Sequence, residues 1–564
     1  MSRWIESVRR PRSWLLFVVI ALYGWTVTGP AFIDDYRDLR LMREYREGRR
    51  SELGLYRFLR GGDDNRALRS AGYYPWWLAD EVRYQHSRPI AERWLYGQFL
   101  IFGDNTFAYH AVSILLYGIG VLLAARLFAM LTTNRNVSRW AALIFAIAAA
   151  HAVPVVFISQ QCDLLGLILV VSAMCATVSW IQNGRGLSVL TAMALYALSL
   201  GTKESSLPVA LFPLLFGWAL RAGKSHLRRG ATLSVSMLLL GGVWLSIYAA
   251  RGFGANNAMM LDPLHETGHY LAELPVRALV LLATWLLPIN PFIFYLRPFG
   301  QMVIPVLAGI GLATLLTFIW LIRGSGRSAA MMTVWTLLFL PLLVCTPPDD
   351  RNLLLPGIGF AFLAVLWLIP ENPQRRVRWL PLLIFVVLQI PTAIANAAAI
   401  RMLESTVEAN LRTAEASFGR DCQPGDCIFF LNLDTDPQVL FAQYHFDWLR
   451  ATEGKPTGVR VAFLSDIREP VVHRVDDHTL RIEGPTEPLL EGFLGKMGYT
   501  RNRPRHEGDE FDAGVFKVRI TRMTGDHVRE ATIRFAEPLA SDHYRFIWCS
   551  PGEKARVLPA ITFS

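Results

Sequence analysis

Residues 13–39, "SWLLFVVIALYGWTVTGPAFIDDYRDL", join an apolar run of about twenty residues to two adjacent carboxylates, Asp34 and Asp35. A run of this length can cross the hydrocarbon core of a bilayer, which is about 30 Å thick. It is also longer than the apolar core of a signal peptide, so we predict an uncleaved first spanning helix. A carboxylate placed directly after such a helix loses hydration, which costs free energy unless a partner or a task compensates. The acid pair is therefore either a functional feature or only the start of a solvated loop.

The composition of the whole chain indicates a membrane protein. Of its 564 residues 52% are hydrophobic, and the mean hydropathy is +0.31. The formal net charge of +10 does not imply a nucleic-acid partner, since Lys and Arg accumulate in the cytoplasmic loops of membrane proteins. We predict a polytopic α-helical protein of the cytoplasmic (inner) membrane, surrounded by membrane lipid and without nucleic acid as a partner.

Apolar runs recur along the first 400 residues, and we predict eleven spanning helices. Their expected positions are 13–32, 107–131, 140–158, 163–182, 187–202, 205–221, 231–250, 302–322, 328–346, 351–370 and 379–399. The segment 271–290 either spans the membrane or lies along its surface. If it does not span and the amino terminus is cytoplasmic, the basic clusters "RGSGR" and "QRRVR" stay inside, as the positive-inside rule requires. We therefore favour the non-spanning interpretation, which places the carboxy-terminal tail outside.

Two regions outside the membrane are large, and they suggest two domains. Residues 1–400 are predicted to form the membrane domain, including an outer loop at 33–106, and residues 401–564 a soluble periplasmic α/β domain. The tail begins with a helical pattern at 400–419, and a second helix is predicted at 437–454. Strand-like runs accompany them: "CIFFLNL", "VRVAFLS", "VVHRV", "TLRIEG", "VFKVRIT" and "ATIRFAE".

Two of the six cysteines, Cys422 and Cys427, lie in the polar stretch "DCQPGDC". A Pro-Gly turn between them would bring the two sulfur atoms together. If the tail lies in an oxidising compartment, a structural disulfide is the expected state. A metal site is less favoured, because no second Cys or His pair follows at the spacing typical of zinc ligands.

Acidic and basic residues recur at the predicted outer ends of the helices, whereas the inner turns are only basic. Arg and Lys suit a phosphate group, and a carboxylate suits proton abstraction from a hydroxyl group. A position at the lipid boundary suits a substrate with a long hydrocarbon tail. This pattern favours transfer from a lipid-linked phosphate donor. The residues concerned are Asp34, Asp35, Arg88, His110, His151, Asp163, Lys203, Glu204 and Arg351.

Five motifs, in order over about 370 residues, resemble the GT-C superfamily of polyprenyl-phosphate-dependent glycosyltransferases. The similarity is greatest to the branch of transmembrane O-mannosyltransferases that carry tetratricopeptide repeats. The matching stretches are "FIDDYRDL", "SRPIAERWLYGQFLIFGDNTFAYHAVSILLYG", "HAVPVVFISQQCDLL", "LSLGTKESSLPVAL" and "DDRNLLLPGIGF". The sequence departs from that branch at Val153, Gln161 and Tyr117, and a different domain replaces the repeats. Neither the sugar nor the acceptor is therefore predicted.

The resemblance implies roles for these residues. One of Asp34 and Asp35 would be the general base, and we favour Asp34. Asp35 would instead bind a divalent cation or hold a basic residue; no cofactor is certain, and a divalent metal is left open. The charge on the leaving polyprenyl phosphate would be met by Arg88, Lys203 and Arg351. Supporting roles would fall to Glu204, His110, His151 and Asp163.

Each of these residues also has a purely structural interpretation. Lys203 and Glu204 would pair with each other at a tight turn, and Asp163 would be a helix N-cap. Arg351 would cover the carboxylates next to it, and Arg88 would be an interfacial anchor. The two histidines would serve packing and hydrogen bonding. The aromatic stretch "YYPWW" at 73–77 would form part of a membrane-interface belt or, alternatively, stack against a sugar ring.

The sequence thus predicts an inverting glycosyltransferase with a cytoplasmic amino terminus and a periplasmic tail. Its partners would be a polyprenyl-phosphate-linked sugar and a hydroxyl acceptor on a protein, lipid or polysaccharide. A transporter of lipid-linked sugars is the first alternative, but transporters tend to bury charge at the bilayer midplane and to contain internal repeats. A non-catalytic assembly or sensor protein is the second alternative.

Overall fold

The computed structural model describes residues 13–220, 223–287, 299–369, 378–432, 441–549 and 555–559. The chain divides into two compact units. The first unit comprises Met1–Pro30, Ser87–Phe253 and Leu261–Ile400, and the second comprises Ala31–His86, Gly254–Met260 and Arg401–Ser564.

The described residues form seventeen α-helices, most of which lie in the first unit. In chain order the described α-helices are α1 (Trp14–Tyr23), α2 (Asp34–Arg46), α3 (Asp63–Ser70), α4 (Pro89–Phe102), α5 (Thr106–Leu131), α6 (Arg135–Ile147), α7 (Ala152–Val156), α8 (Gln161–Asn183), α9 (Gly186–Leu200), α10 (Phe212–Ala219), α11 (Lys224–Ala250), α12 (Thr267–Leu286), α13 (Phe299–Leu343), α14 (Gly357–Leu368), α15 (Trp379–Ala416), α16 (Ala442–Thr452) and α17 (Phe493–Met497). Short 3₁₀ helices lie at Gly24–Thr28, Ala149–His151, Ile158–Gln160, Glu204–Leu211 and Asp350–Leu353.

Six helical segments of the described chain are long and apolar enough to cross a membrane. They are Thr106–Leu131, Ile158–Asn183, Lys224–Ala250, Met302–Gly324, Gly326–Leu343 and Trp379–Ala416. The bent pair Arg135–Ile147 and Ala149–Val156 makes a seventh if it is one span. Three further predicted spans appear as shorter apolar helices at Trp14–Thr28, Gly186–Leu200 and Gly357–Leu368. The structure thus supports a polytopic helical protein, with six or seven full-length candidate spans among the described residues, and the number eleven stays a prediction.

One predicted span, 205–221, differs from the expectation for a local reason. The segment 205–221 is a 3₁₀ helix, Glu204–Leu211, followed by the short helix α10. Pro208 lies inside the first and Pro213 at the start of the second, and proline removes an amide donor from a helix. The segment around 271–290 is helix α12, which is not among the six long apolar segments just given.

Apolar side chains on several helices of the first unit share one core. Leu127 and Phe128 on α5, Val170 on α8 and Phe362 on α14 are all buried in it. The rings of Phe128 and Phe362 stack with their centroids 6.1 Å apart. Because α8 is packed in this way, its first turn is held firmly, and Asp163 lies in that turn.

The second unit contains three sheets. A small one has the order β1 (Arg57–Leu59), β2 (Tyr84–Gln85) and β3 (Gly254–Ala255). The other two contain β4 (Cys427–Phe430), β5 (Arg460–Phe463), β6 (Val471–Arg474), β7 (Thr479–Glu483), β8 (Glu510–Asp512), β9 (Phe516–Thr524), β10 (His527–Phe535), β11 (Tyr544–Trp548) and β12 (Arg556–Leu558). Five strands form an antiparallel sheet in the order β6-β7-β10-β9-β8, and four form a mixed sheet in the order β12-β11-β4-β5.

The strand pattern of the tail follows its sequence periodicity. On β9, Phe516, Val518 and Ile520 are buried, whereas Lys517 and Arg519 between them are exposed. Successive side chains of a strand point to opposite faces, so this alternation gives the sheet one core face and one solvated face. The sequence predicted two strands with a helix between them here, and β4, α16 and β5 follow one another in that order. The structure adds that β4 and β5 pair in parallel.

The domain boundaries differ from the prediction in the loop at 33–106. Residues 31–86 belong to the second unit and not to the membrane domain. Trp76 and Trp77 explain this, because both are buried in the core of the tail. Their indole nitrogens donate to the carbonyls of Leu464 and Leu494, each at 3.1 Å. The stretch "YYPWW" is therefore a core element rather than an interfacial belt or a sugar platform.

The predicted disulfide is absent from the structure, in which Cys422 and Cys427 are both free and buried. The Sγ of Cys422 points to the carbonyl oxygen of Glu415 at 3.8 Å, and that of Cys427 to the carbonyl oxygen of Gly425 at 3.4 Å. Cys427 begins the buried strand β4, so the packing of that strand directs its side chain. The disulfide prediction is corrected to two separate thiols.

Candidate functional site

Arg88 immediately precedes helix α4 in the first unit and forms an ion pair with Glu204. Its Nη2 and Nε lie 2.9 Å and 3.2 Å from Oε2 of Glu204. The two side chains are only 11% and 16% exposed. The other carboxylate oxygen of Glu204 accepts a hydrogen bond from Tyr248 Oη at 3.4 Å. A guanidinium group held by a partly buried carboxylate in this way is a cation of fixed orientation.

Lys203, the residue before Glu204, pairs with Asp163. Its Nζ donates to Oδ1 of Asp163 at 2.6 Å and to Oδ1 of Asn352 at 3.3 Å. The side chains of Lys203 and Asp163 are 11% and 7% exposed. Lys203 thus reaches a carboxylate on α8 instead of its neighbour Glu204, which corrects the interpretation as a local pair.

Asp163 is the third residue of α8, whose N-cap is Gln160. Its carboxylate is engaged by Lys203, so the N-cap interpretation is wrong for this residue. Gln161, where the resembling family has arginine, has a complete set of neutral hydrogen bonds. It accepts from Trp94 at 2.9 Å and from Gln98 at 2.7 Å, and its amide donates to Ser113 at 3.0 Å. No cation is needed at this position.

The two histidines are buried and hydrogen-bonded within the first unit. His151 Nδ1 lies 2.9 Å from Tyr117 Oη, which also donates to the carbonyl of Ala146 at 2.9 Å. Gly357 packs so closely that a β-carbon there would lie 3.1 Å from His151 Nε2. His110 Nε2 lies 3.0 Å from the carbonyl oxygen of Pro30. These contacts match the packing interpretation of both histidines.

Arg351 pairs with the acid two residues before it. Its Nε lies 2.8 Å from Oδ2 of Asp349, and the other oxygen of Asp349 accepts from the Arg351 amide at 3.0 Å. Asp349 thereby caps the 3₁₀ helix Asp350–Leu353. The contacts of Arg351 thus agree with its structural interpretation. Its side chain is 31% exposed, so part of it stays accessible to a ligand.

Asp350 is buried, and its Oδ1 has no hydrogen-bond partner within the described parts of the chain. Burial, and then the neighbouring Asp349 carboxylate, raise the pKa of Asp350 well above its ordinary value. The protonated carboxyl is therefore the form that the fold favours.

Asp350→Asn is expected to stabilise the protein increasingly as the pH rises. With its pKa raised in the folded state, Asp350 contributes stability that is complete below the ordinary value of 3.8 and is lost as the pH rises through the folded-state value. Asparagine does not ionise and escapes this loss. Thermal unfolding midpoints in detergent, measured for both proteins from pH 5 to pH 9, check this. A difference that stays constant or shrinks with rising pH would contradict it.

The acid pair belongs to the second unit and begins helix α2. Asp34 is the first residue of that helix and is partly exposed. Asp35 is buried, and its Oδ2 accepts a hydrogen bond from the Phe32 amide at 3.0 Å. Negative charge is favourable at a helix N-terminus. Asp35 therefore stabilises the turn, which leaves Asp34 as the better placed of the two to act on a substrate.

The backbone before the pair is strained. Ile33 has φ +42° and ψ −98°, and a β-branched residue rarely adopts a positive φ. Such a conformation costs on the order of 1–3 kcal/mol and persists only where the surroundings impose it. Further along α2, the buried guanidinium group of Arg37 lies in the field of Asp34 and donates to the carbonyls of Leu55 at 2.7 Å and Arg57 at 2.8 Å.

The structure thus brings the first-unit residues together in pairs and builds the acid pair within the second unit. Sequence reasoning missed Asn352 and Tyr248, which complete the environment of Lys203 and Glu204. Asn352 follows Arg351 directly in the motif "DDRN", and this position could have marked it as a candidate site residue. Tyr248 lies inside a long apolar helix, where no sequence pattern distinguishes it.

A divalent metal at Asp35 does not fit the residues around it. Within the described parts of the chain, no group of three or more His, Cys, Asp or Glu side chains lies close enough to hold a metal ion. One oxygen of Asp35 is already used by the Phe32 amide. No step below involves a metal.

No protein-family model and no curated protein matches the sequence. Among solved structures, the apo oligosaccharyltransferase of Archaeoglobus fulgidus is similar at 10% identity, covering 82% of this chain and 64% of that chain, with a TM-score of 0.43. ArnT from Cupriavidus metallidurans, solved with undecaprenyl phosphate, is similar at 12% identity, covering 77% of this chain and 85% of that chain, with a TM-score of 0.32. The chain spans about two thirds of the archaeal enzyme's length.

The sequence identity to these solved structures is low. All the TM-scores lie below 0.5, and the identities are 10–12%.

Proposed function

We propose that the protein is an inverting glycosyltransferase that moves a sugar from a polyprenyl-phosphate donor to a hydroxyl acceptor. The reaction would take place at the outer face of the cytoplasmic membrane. The acceptor would be a hydroxyl group of a protein, a lipid or a polysaccharide.

One observation supports this proposal most strongly: motifs that lie far apart in the sequence meet in the first unit as buried or nearly buried charges. Arg88 pairs with Glu204, and Lys203 with Asp163. Asn352, from the last motif, completes the second pair. Burying charge is costly even when it is paired, so such a cluster is uncommon without a purpose.

The proposed chemistry assigns one role to each group. Asp34 removes the proton of the acceptor hydroxyl as that oxygen attacks the anomeric carbon of the sugar. The bond from the anomeric carbon to the phosphate oxygen breaks, polyprenyl phosphate leaves, and the configuration inverts. Arg88 and Lys203, with Arg351, balance the charge on the leaving phosphate. Glu204 and Asp163 hold the two nearly buried cations in place.

Arg88→Gln is expected to lower kcat/KM for transfer by about 10²–10³-fold, as is typical when a donor to developing charge is removed. The assay uses purified full-length protein, a radiolabelled polyprenyl-phosphate hexose and a panel of hydroxyl acceptors. Arg88→Lys keeps the charge but loses the planar group, and we expect an intermediate activity.

Arg93→Gln is the matched control, because Arg93 lies on the same helix and is exposed. We expect it to retain the wild-type rate. Thermal unfolding must show that Arg88→Gln is folded, since that change leaves Glu204 without its cation. Wild-type transfer by a folded Arg88→Gln protein would refute the role of Arg88 at the phosphate.

A further inference from the structure

A buried polar cluster in the second unit supports the turn that carries the acid pair. Glu404 on α15 accepts a hydrogen bond from Tyr36 Oη on α2 at 2.7 Å. The same oxygen, Oε1, lies 3.0 Å from His445 Nδ1 on α16. The rings of Tyr36 and His445 stack with their centroids 4.0 Å apart. All three residues are at most 3% exposed.

The protonation of His445 fits this arrangement. Burial, and then the nearby charge of Arg412, lower the pKa of His445 to about 3. The imidazole is therefore neutral near pH 7, and its Nδ1 and the Glu404 carboxyl group share one hydrogen across the 3.0 Å contact. Its Nε2 is buried and lacks a hydrogen-bond partner in the described chain.

The backbone hydrogen bonds of the turn lead to the same carboxylate. The amides of Phe32 and Ile33 precede the first turn of α2, and buried amides need acceptors. Asp35 accepts a hydrogen bond from the Phe32 amide at 3.0 Å. The amide of Ile33, the residue with positive φ, favours the ionised form of the Glu404 carboxyl group. Glu404 therefore fixes the strained residue directly before Asp34 and, through Tyr36, the helix directly after it.

A small cavity of about 10 Å³ lies beside this turn. Its walls include Phe32, Ile33, Tyr36, Glu404, Phe441 and His445. Ile33, the residue with positive φ, and the Glu404 carboxyl group that bonds Tyr36 thus line one small cavity.

We propose that Glu404 is a positioning residue that holds the Ile33 turn and thereby orients the Asp34 carboxylate for proton abstraction. This inference rests on the proposed function, because the orientation of the Asp34 carboxylate matters only if Asp34 is the general base. The carboxy-terminal tail supplies Glu404 and His445. The proposal therefore gives the tail a direct role in positioning the general base.

Glu404→Ala is expected to lower kcat about 10–100-fold with little change in KM, because a misplaced catalytic group loses rate rather than substrate affinity. Glu404→Gln keeps an acceptor oxygen for Tyr36 and should recover most of this loss. Tyr36→Phe removes a single hydrogen-bond donor, and its kcat should lie between those of Glu404→Ala and Glu404→Gln. Glu408→Ala, one turn along the same helix at a half-exposed ion pair with Arg412, is the matched control and should match the wild type.

Hydrogen–deuterium exchange of the full-length protein separates this proposal from the proposed function, because it needs no activity. We expect Glu404→Ala to speed exchange of the amides at 32–36 while leaving β9 and β10 unchanged. Unchanged exchange at 32–36 would overturn the positioning role, whatever the enzymatic result.

A double-mutant comparison tests whether Glu404 acts through Asp34. In an Asp34→Asn background, Glu404→Ala should lower the residual rate less than 3-fold, since the group that it orients is already gone. An undiminished 10–100-fold loss in that background would show a merely structural effect and overturn the proposal. If Asp34→Asn itself kept full activity, the proposed function would fail, and the exchange result at 32–36 would still stand on its own.

Discussion

Asp34→Asn is expected to remain folded and to lose about 10²–10⁴-fold in the rate of sugar transfer, the range that general base catalysis contributes. Asparagine keeps the size and the position at the start of α2 but does not accept a proton. Because Asp34 is partly exposed and Asp35 carries the hydrogen bond to Phe32, the change should leave the turn intact. The rate is measured with purified full-length protein and a labelled polyprenyl-phosphate hexose.

The second unit offers a close control for this substitution. Asp63 and Asp64 also form an acid pair at the start of a helix, α3, and they also follow a residue with positive φ, Gly62 at +63°. Asp63→Asn should therefore change helix-end electrostatics to a similar extent without affecting transfer. Equal losses in Asp34→Asn and Asp63→Asn would show that the effect at Asp34 is not specific to catalysis.

Lys203→Met is expected to destabilise the protein by about 3–5 kcal/mol, because it leaves the carboxylate of Asp163 buried without its cation. The double variant Lys203→Met with Asp163→Leu should recover most of this stability, since an apolar pair of similar volume replaces two buried charges. Unfolding in mild detergent titrated with a denaturing detergent, followed by tryptophan fluorescence, gives the comparison.

Lys455→Met is the matched control, since Lys455 also pairs with a carboxylate, that of Glu453 at 2.7 Å, but the two side chains are 35% and 30% exposed. Exposed pairs contribute about 0–1 kcal/mol. If Lys203→Met lowered the free energy of unfolding no more than Lys455→Met does, the ion pair of Lys203 with Asp163 would not be important for stability. Transfer by the stable double variant then reports separately on the role of Lys203 at the phosphate.

Sequence patterns predicted helices and strands correctly where a long apolar run or a strict alternation of apolar and polar residues is present. The apolar run at 107–131 corresponds to helix Thr106–Leu131, because a run of that length leaves the backbone few other ways to bond in a membrane. Alternation in "VFKVRIT" likewise predicted β9. The helical pattern at 400–419 was also detected, but it continues the helix that starts at Trp379 instead of forming a separate one.

Partners across the fold were harder to predict, because periodicity tells which face of an element is buried but not what covers it. Lys203 has an acid beside it in the sequence, and its partner is Asp163, forty positions away. Trp76 and Trp77 look interfacial in sequence, yet the core of the tail buries them. Glu404 and His445 carried no motif at all, and only the folded chain places them at the turn before Asp34.

The anomeric configuration of the product tests the central claim most directly. Full-length protein in lipid nanodiscs would receive a polyprenyl-phosphate hexose of known configuration and a hydroxyl acceptor, and nuclear magnetic resonance of the product would report the new glycosidic bond. We predict a sugar attached to the acceptor with its configuration inverted, formed by the wild type and by Asp63→Asn but not by Asp34→Asn. A product with retained configuration, or one formed equally by Asp34→Asn, would contradict this.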